Sequence, residues 1–348
     1  MKVYYISNTF DGCWYVRNYL PMYHNGWDGD KLSIYGKRIV GDQMVKGAMN
    51  ADVVVFQRPN DRERLEAAKV LQKAGKKIVF DNDDTYKLNS GVPTQMTTIY
   101  GKEKLTEMND TLMEFIKIAD LVTTTTETLR QEYNAYNKNV VVLPNMVDPD
   151  DFPVKKVNHT DKVRVGLVGS VVSNEEYEAL KTNLDRLLKS PDVQVVIFGM
   201  PPKTEETFLT QRIYKKEYDF WLSKNIEWQP FVPFQDYFET LNNLTLDLML
   251  IPRQNSYFNQ AKSNIKFLEA AMLEIPVIAS SFPNGPYEEL DGKIGIKTKD
   301  FKEVWEVINK PYDLRWMGKA AKNYALKNYN IHNNYHLWET AYLTMWKE

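Results

Sequence analysis

Two lysines and one glutamate are spaced along the chain at the start of a predicted helix. Lys266 lies one helical turn after Lys262, and Glu269 lies one turn after Lys266. A helix N-terminus offers unpaired N–H groups and the positive end of its dipole, so two ammonium groups beside it favour a phosphate. A carboxylate one turn further on can accept hydrogen bonds from the paired hydroxyls of a ribose. These residue types at this spacing predict a site for a phosphate and a ribose.

The surrounding segment has the pattern of a helix followed by a strand. Apolar residues repeat at helical spacing over 265–272. Ser263 is the expected N-cap, because its hydroxyl can accept a hydrogen bond from a first-turn N–H. Pro276 ends the helix, and the apolar run 277–279 is typical of a short buried strand. The segment therefore predicts a unit of an α/β fold.

Three carboxylates stand close together directly after another predicted strand. The run 77–80 leads into Asp81, Asp83 and Asp84. Carboxylates this close repel one another unless a cation, a basic ligand or solvent offsets their charge. Open α/β sheets bind ligands at the carboxyl ends of their strands, so this turn is expected to face a cleft. Strand alternation places Asp83 on the side of Asp81 and nearer the tip, which makes Asp83 the first choice for a carboxylate that acts on a substrate.

The order of the predicted elements divides the 348-residue chain into two strand–helix series. Predicted strands, some with the turn residues that end them, lie at 3–6, 51–59, 77–80, 118–126, 140–145, 164–170, 193–199, 226–233, 246–253 and 277–279. Residues 148–161 are polar and contain two prolines, so they are expected to link the series. The expected domains are 1–150 and 151–312, followed by an aromatic helical segment, 313–348, that packs back onto the first domain.

The second series supplies further candidates for phosphate binding. Its first strand ends in Gly-x-x-Gly-Ser, with Gly169 and Ser170 at the turn, which lets the backbone approach a diphosphate closely. The full dinucleotide-binding fingerprint is absent, so the turn is not a strong sign of NAD. The strand 246–251 leads to Arg253, whose guanidinium is expected at the same cleft.

Residues 262–279, Lys-Ser-Asn-Ile-Lys-Phe-Leu-Glu-Ala-Ala-Met-Leu-Glu-Ile-Pro-Val-Ile-Ala, resemble the donor-binding helix of GT-B glycosyltransferases, especially the GT4-like group. Ala-Asp-Leu-Val-Thr, Thr-x-x-Leu and Leu-Pro-Asn, within 118–145, resemble the end of a GT-B N-terminal domain. The resemblance implies two Rossmann-like domains that face each other across a cleft. It implies an enzyme that moves a sugar from a nucleotide-sugar to a hydroxyl acceptor, with retention of configuration and no obligatory metal or other cofactor. A UDP-sugar is the favoured donor, with a GDP-sugar as the alternative.

In this family the glutamate that aligns with Glu269 holds the donor ribose, and a nearby basic residue holds the diphosphate. Many members carry another glutamate eight residues earlier, where this chain has Ala261. In those members that glutamate contacts the transferred sugar. In this chain either the contact is missing or a neighbour such as Asn259 makes it. The expected donor-binding residues are Gly169, Ser170, Arg253, Asn259, Lys262, Ser263, Lys266 and Glu269.

The first half of the chain is expected to hold the acceptor. Tyr15-x-Arg17-x-x-x-Pro21 resembles a segment that faces the cleft in some GT-B enzymes. Arg17 is either a group that reaches a phosphate or the acceptor, or a partner in a surface salt bridge. The expected acceptor-side residues are Asn8, Trp14, Arg58 and Asp84, and the expected catalytic residues are Asp83, Asp81 and Arg17.

The motif Asp81-x-Asp83 has an alternative interpretation as a metal-binding site. It has the form of the metal-binding motif of GT-A glycosyltransferases, and it also resembles an Asp-x-Asp-Asp segment of certain GT-B members. The second strand–helix series is unexplained by a GT-A fold, so GT-B is preferred and no metal site is expected. The four histidines, His24, His159, His332 and His336, show no metal-ligand spacing, and surface or packing roles are expected for them.

The amino-acid composition narrows the class of protein to which the chain can belong. With 43% hydrophobic and 26% charged residues, the chain has the composition of an ordinary globular protein. Its net charge of −2 provides no positive electrostatic field that would favour non-specific nucleic-acid binding. The single cysteine, Cys13, excludes an internal disulfide framework and favours a reducing cytoplasm. The chain starts directly in a strand, and no apolar run is long enough to span a membrane.

Three other functions stay open at this stage. One is a catalytically silent homologue that binds a nucleotide or sugar, and another is a sugar-nucleotide epimerase of the same shape. The third is a glycosyltransferase that modifies DNA bases, although no basic stripe interleaved with aromatic residues supports it. The expected partners are a nucleotide-sugar and a carbohydrate or other hydroxyl acceptor. Nucleic acid as the acceptor and the oligomeric state stay open.

Overall fold

A computed structural model describes residues 1–7, 11–29, 42–85, 101–169, 174–200 and 224–346. The first half of the chain forms a six-stranded sheet from β1 (Val3–Ser7), β2 (Asp28–Gly29), β3 (Val53–Gln57), β4 (Lys77–Asn82), β5 (Leu121–Thr124) and β6 (Val140–Val142). The strand order is β2-β1-β3-β4-β5-β6, and all neighbours are parallel. The carboxyl ends of these strands therefore share one edge of the sheet.

The second half forms another six-stranded sheet from β7 (Val163–Val168), β8 (Val193–Met200), β9 (Ile226–Pro230), β10 (Leu248–Ile251), β11 (Val277–Ser280) and β12 (Ile296–Thr298). Its order is β12-β11-β10-β7-β8-β9, again with parallel neighbours throughout. The two sheets confirm the predicted α/β class with two strand–helix series.

Helices connect the strands in both halves. In the described residues of the first half they are α1 (Gly12–Trp14), a π-helical turn (Tyr15–Tyr19), α2 (Leu20–His24), α3 (Asp42–Asn50), α4 (Arg62–Lys73), α5 (Lys102–Ile118) and α6 (Glu127–Asn134). In the second half they are α7 (Asn174–Lys189), α8 (Phe234–Asn243), α9 (Tyr257–Gln260), α10 (Ile265–Met272), α11 (Glu303–Ile308), α12 (Pro311–Asn328), α13 (Ile331–Asn334) and α14 (His336–Leu343). Short 3₁₀ turns occupy Pro149–Asp151 and Thr344–Trp346. No helix in the described ranges has both the length and the apolar composition that a bilayer crossing requires.

Both faces of each sheet are covered, as parallel sheets require. In the first sheet, Val54 and Phe56 pack with Phe115 of α5 on one face. Val55 points to the other face and joins a cluster with Trp338 of α14. Because neighbouring residues of a strand point to opposite faces, continuous apolar strands are the pattern expected of a sheet buried on both sides.

The second sheet repeats this arrangement. Met249 of β10 packs on the face that carries Phe267 of α10. Leu250, the next residue, packs on the face that carries Leu184 of α7. The helix that begins the candidate donor site is therefore anchored in the core of the second sheet.

The end of the chain returns to the first sheet. Val147 N–H donates to Tyr329 O at 2.9 Å, and Ile331 N–H donates to Val147 O at 3.0 Å, so the outgoing and returning segments lie side by side. Trp338 and Tyr342 are fully buried, and the Tyr342 hydroxyl lies 2.8 Å from that of Tyr5 in β1. The last two helices thus contribute to the core of the first half. The exact domain boundaries stay a prediction.

Local details differ from the sequence-based expectations in two places. Ser263 is not the N-cap of α10, since this helix begins at Ile265 and Asn264 occupies the cap position without a capping side-chain bond. The aromatic helical segment expected to pack onto the first domain over 313–348 does so only in part, since Ala321 and Ala325 of α12 lie in the core cluster of the second sheet. The chain crosses to the first half at Asn330, whose side chain caps α13 by accepting from His332 N–H.

Candidate functional site

The carboxyl edges of the two sheets lie close to each other. The segment 256–263, which follows β10, contacts loops that follow strands of the first sheet. Thr126, after β5, donates through Oγ1 to Ala261 O at 3.2 Å. Asn145, after β6, donates through Nδ2 to Ser263 Oγ at 2.9 Å. The segment that carries several of the expected donor-binding residues therefore contacts the carboxyl edge of the first sheet.

Arg17 and Asp81 form a bidentate pair inside the first half. Arg17 Nε and Nη2 donate to the two Asp81 carboxylate oxygens at 3.1 and 2.6 Å. Nη1 donates to Leu143 O at 2.5 Å, and Thr123 Oγ1 donates to Asp81 Oδ2 at 2.7 Å. Arg17 is 0% exposed and Asp81 1% exposed. Because the pair is buried, Arg17 forms neither the surface salt bridge considered for it nor an exposed group that could itself reach a phosphate or the acceptor.

Asp83 pairs with Arg58 at the edge itself. Arg58 Nε and Nη2 donate to Asp83 Oδ1 and Oδ2 at 2.5 and 3.1 Å. Burial alone would raise the pKa of Asp83, but the charges of Arg58, Arg17 and Lys262 hold this pKa below its ordinary value. Arg58 itself has a φ of +50°, a conformation that non-glycine residues adopt infrequently. Asp83 is thus an ionised carboxylate at neutral pH and a weak base.

Asp84 contacts the second half of the chain. Lys262 Nζ lies 2.6 Å from Asp84 Oδ2, and Arg58 Nη2 lies 3.6 Å from the same oxygen. The Lys262 ammonium also sits 4.2 Å from the centre of the Phe258 ring, within cation–π range. Each of the three carboxylates in the acidic turn therefore has a cation of this chain beside it, which offsets the repulsion expected from the sequence.

Glu269 lies in α10 and is fixed by an aromatic hydroxyl. Tyr237 of α8 donates its O–H to Glu269 Oε2 at 2.9 Å. Burial raises the pKa of Glu269 to about 7, although the Tyr237 hydrogen bond and the charge of Lys266 lower it. A half-buried carboxylate with one oxygen oriented in this way can accept hydrogen bonds from two neighbouring hydroxyls. Lys266, also half-buried, places its charge one turn closer to the helix start.

Arg253 and Asn259 are linked to each other after β10. Arg253 N–H donates to Ser280 Oγ at 2.7 Å, which ties the end of β10 to the end of β11. Its Nη1 donates to Asn259 Oδ1 at 3.1 Å, and Asn259 Nδ2 donates to Gln254 O at 2.9 Å. The guanidinium is therefore held at the carboxyl edge of the second sheet, where the sequence places it.

Gly169 ends β7 against the neighbouring strand. Its N–H donates to Phe198 O at 2.9 Å, so this amide is already paired. A Cβ on Gly199, where φ is +105°, would come within 2.6 Å of Gly169 O, so only glycine fits there. The turn is packed closely against β8 and the Gly169 amide is already paired, so the close approach of this backbone to a diphosphate stays a prediction. Ser170 lies outside the described residues.

Ala261 is buried against the first half. It is 0% exposed and belongs to the apolar cluster of the first sheet. Beside it, Tyr257 donates its O–H to Glu132 Oε2 at 2.6 Å, and Glu132 is also a buried residue of α6. This contact between the two halves has no motif in the sequence, because the residues are 125 positions apart.

Aromatic residues line the loop and helix that follow β1. The Trp14 and Tyr19 rings lie 5.4 Å apart between centroids. Tyr15 contacts Phe234 of α8 with ring centroids 4.7 Å apart, which joins this helix to the second half. Trp14 is half-buried at the same edge as the acidic turn. Asn8, the other expected acceptor-side residue of this loop, lies outside the described residues.

No protein-family model matches the sequence, and the search of curated proteins found no match. Several solved structures match the fold of the chain over nearly its full length. Anabaena HepE, in complex with UDP and glucose, shares 12% identity over 99% of each chain with a TM-score of 0.68. The sucrose-phosphate synthase of Thermosynechococcus elongatus shares 10% identity over 99% of each chain with a TM-score of 0.69. A glycosyltransferase from Rickettsia africae ESF-5 shares 11% identity over 99% of this chain and 98% of its own, with a TM-score of 0.60.

The chain has the GT-B fold of these glycosyltransferases, which confirms the predicted fold class. At 10–13% identity the likeness extends to architecture and not to individual residues. The assignments of single residues to donor and acceptor therefore depend on the contacts described above.

Proposed function

We propose that the protein is a glycosyltransferase that moves a sugar from a UDP-sugar to a hydroxyl acceptor. The observation that carries this proposal is Glu269, oriented by Tyr237 at 2.9 Å on the helix that starts beside Lys266. Such a carboxylate suits the paired hydroxyls of a ribose, and the lysine suits the diphosphate. Binding of UDP and of UDP-glucose by Anabaena HepE supports a uridine donor over a GDP-sugar.

The proposed chemistry is electrostatic. Lys266 and Arg253 place positive charge where the diphosphate departs, and charge that develops in a transition state is stabilised most by groups already in position. Lys262 is paired with Asp84, so we assign it to the contact between the halves and place the diphosphate on Lys266 and Arg253. Retention of configuration and independence from metal belong to this proposal.

The acceptor is proposed to lie on the first-half side of the cleft, near Trp14, Arg58 and Asp83. Asp83 is ionised, and each of its oxygens keeps a lone pair beyond the Arg58 bond, so it can accept a hydrogen bond from the acceptor hydroxyl. Arg17 and Asp81 are proposed as positioning residues, since they are buried beneath the turn that carries Asp83. A carbohydrate is the expected acceptor, and the single cysteine supports a cytoplasmic location.

A donor panel tests the proposal. Thermal unfolding is measured with UDP-, GDP- and ADP-sugars, and the hits are titrated by calorimetry against wild type and Glu269→Ala. We expect UDP-sugars to raise the melting temperature, and the variant to lose most of that affinity. Lys224→Ala, outside the proposed cleft residues, is the matched control. Equal UDP affinity in wild type and Glu269→Ala would show that the donor site is wrong.

A second candidate is a GT-B protein that binds a nucleotide-sugar without transferring it. The buried Ala261 favours this alternative, because the position of the family's additional glutamate is closed by apolar packing. Incubation with UDP-sugar distinguishes the candidates. Release of UDP, or transfer to an added acceptor, supports the enzyme, whereas binding without turnover supports the silent homologue. Conversion of the donor to another UDP-sugar without acceptor would indicate an epimerase.

A further inference from the structure

Two histidines and one aspartate, far apart in the sequence, lie together, and none of them is among the residues proposed to bind the donor or the acceptor. His24 Nε2 lies 2.8 Å from Asp148 Oδ2, and His332 Nε2 lies 2.8 Å from Asp148 Oδ1. The two imidazole rings are 5.0 Å apart between centroids. One ligand atom from each residue lies within 4.8 Å of the other two. Three groups that each bind metals well therefore surround one point, although the histidine spacing in the sequence predicts no such site.

The three residues come from three separate elements. His24 is the last residue of α2, Asp148 begins the connection to the second sheet, and His332 lies in α13 of the returning segment. Asp148 is 7% exposed, and its Oδ1 accepts the Asp150 N–H at 3.0 Å. This backbone bond fixes the carboxylate between the imidazoles, as the supporting hydrogen bonds of metal ligands do.

A fourth ligand is available beside the cluster. Asp150 Oδ2 lies 3.6 Å from His332 Nε2, and the Asp150 side chain is 83% exposed, so it can turn toward the same point. Two neutral imidazoles and two carboxylates balance the charge of a divalent cation. Imidazole nitrogen with carboxylate oxygen suits Zn²⁺ at tetrahedral geometry, whereas Ca²⁺ and Mg²⁺ prefer oxygen ligands.

We propose that His24, Asp148 and His332 form a Zn²⁺ site, with Asp150 or water as the fourth ligand. The site lies where the chain leaves the first half and returns to it. Val147 and Ile331, the neighbours of two of the ligands, already bond to each other through their backbones. A metal here fastens the outgoing and returning segments to α2, and so restrains movement of one sheet relative to the other. The proposal does not depend on the donor or the acceptor.

The test uses the full chain, stripped with a chelator and then titrated with Zn²⁺. Bound zinc is counted by elemental analysis, and Co²⁺ is added as a spectroscopic probe of tetrahedral coordination. We expect one Zn²⁺ per chain, visible Co²⁺ absorption and a higher melting temperature with metal. His24→Asn and His332→Asn should each weaken Zn²⁺ binding by at least about 100-fold, because removal of a direct ligand exceeds the usual effect of a supporting residue. His159→Asn, an exposed histidine elsewhere, is the matched control and should bind as wild type does.

Circular dichroism shows whether each variant folds. If a variant does not fold, the zinc content and the melting temperature of the wild-type protein still test the proposal. A melting temperature that is the same with and without Zn²⁺, together with less than stoichiometric zinc, overturns the proposal and leaves a hydrogen-bonded triad. Stoichiometric zinc that survives both His24→Asn and His332→Asn also overturns it, because the metal would then lie elsewhere. Loss of zinc in both variants, with retention in His159→Asn, supports it.

Discussion

Lys262 and Asp84 form an ion pair, with Nζ 2.6 Å from Oδ2, between residues 178 positions apart. The lysine was expected at the donor phosphate and the aspartate on the acceptor side. Their side chains are 23% and 13% exposed, so the pair is partly shielded from solvent. This contact links the loop after β4 of the first sheet to the segment before α10 of the second. The charge of Lys262 is thus already neutralised within the protein.

The first prediction separates the two lysines of the donor segment. Lys266→Ala should weaken UDP binding by about 1.5–3 kcal/mol, the usual effect of losing a charge-assisted phosphate contact. Lys262→Ala should change UDP affinity by less than about 0.5 kcal/mol and instead lower the free energy of unfolding, because it leaves Asp84 without its closest cation. Calorimetry with UDP and denaturant unfolding measure the two effects. A Lys262→Ala protein that loses UDP affinity as strongly as Lys266→Ala would return Lys262 to the phosphate.

The second prediction concerns pH. Burial raises the pKa of Glu269 from 4.5 to about 7 in the folded protein. Between these values the folded protein keeps a proton that the unfolded chain has released, so the free energy of unfolding falls as pH rises through this window. Glu269→Gln removes the cost of burying the charge and should stabilise the protein at pH 8 by about 1–3 kcal/mol. The gain should shrink toward pH 5, where the wild-type carboxyl is largely protonated.

Unfolding by denaturant at pH 5 and pH 8 checks this pH dependence. Glu274→Gln, two residues beyond the end of α10, is the control for the general effect of replacing a glutamate by glutamine in this segment. The same Glu269→Gln protein should bind UDP more weakly at pH 8, since the ionised carboxylate is the better acceptor for ribose hydroxyls. If Glu269→Gln stabilised the protein equally at both pH values, the raised pKa could not be assigned to Glu269.

The third prediction is that turnover needs no Mg²⁺ or Mn²⁺. The carboxylates of the acidic turn are already paired with Arg17, Arg58 and Lys262, so a divalent ion would compete with three cations of the chain. Transfer should persist in EDTA and should not increase when either ion is added. Chelation also removes zinc from the proposed histidine site, so the assay is repeated on His332→Asn, which should respond in the same way. Activity that is lost in EDTA and restored by Mn²⁺ in both proteins would overturn the prediction.

Much of the architecture was predictable because it is local. Continuous apolar runs mark the parallel strands, and β4 occupies Lys77–Asn82, where the run 77–80 predicts a strand. The residues of α10 likewise predict that helix by themselves, but not its N-cap, which is Asn264 and not Ser263. The contacts that complete the site were not predictable, since Lys262–Asp84 and Tyr257–Glu132 join residues more than 100 positions apart. His24, Asp148 and His332 meet only because the end of the chain returns to the first sheet.

The last prediction concerns Asp83. Its pKa is held below the ordinary value by Arg58, Arg17 and Lys262 despite burial, so it serves as a hydrogen-bond acceptor for the acceptor hydroxyl and not as a titrating base. Asp83→Asn should fold, bind UDP as tightly as wild type and lose most transfer activity. It should also lower the free energy of unfolding by about 1–3 kcal/mol, because the half-buried Arg58 loses its two charge-assisted bonds to the Asp83 carboxylate. Arg58→Lys, which keeps a positive charge beside Asp83, is the matched variant and should keep more activity than Asp83→Asn.

The rates are measured with saturating donor at a temperature where both variants are folded. An Asp83→Asn enzyme that transfers sugar at the wild-type rate, but unfolds more easily, would show that the pair serves only to hold the turn in place.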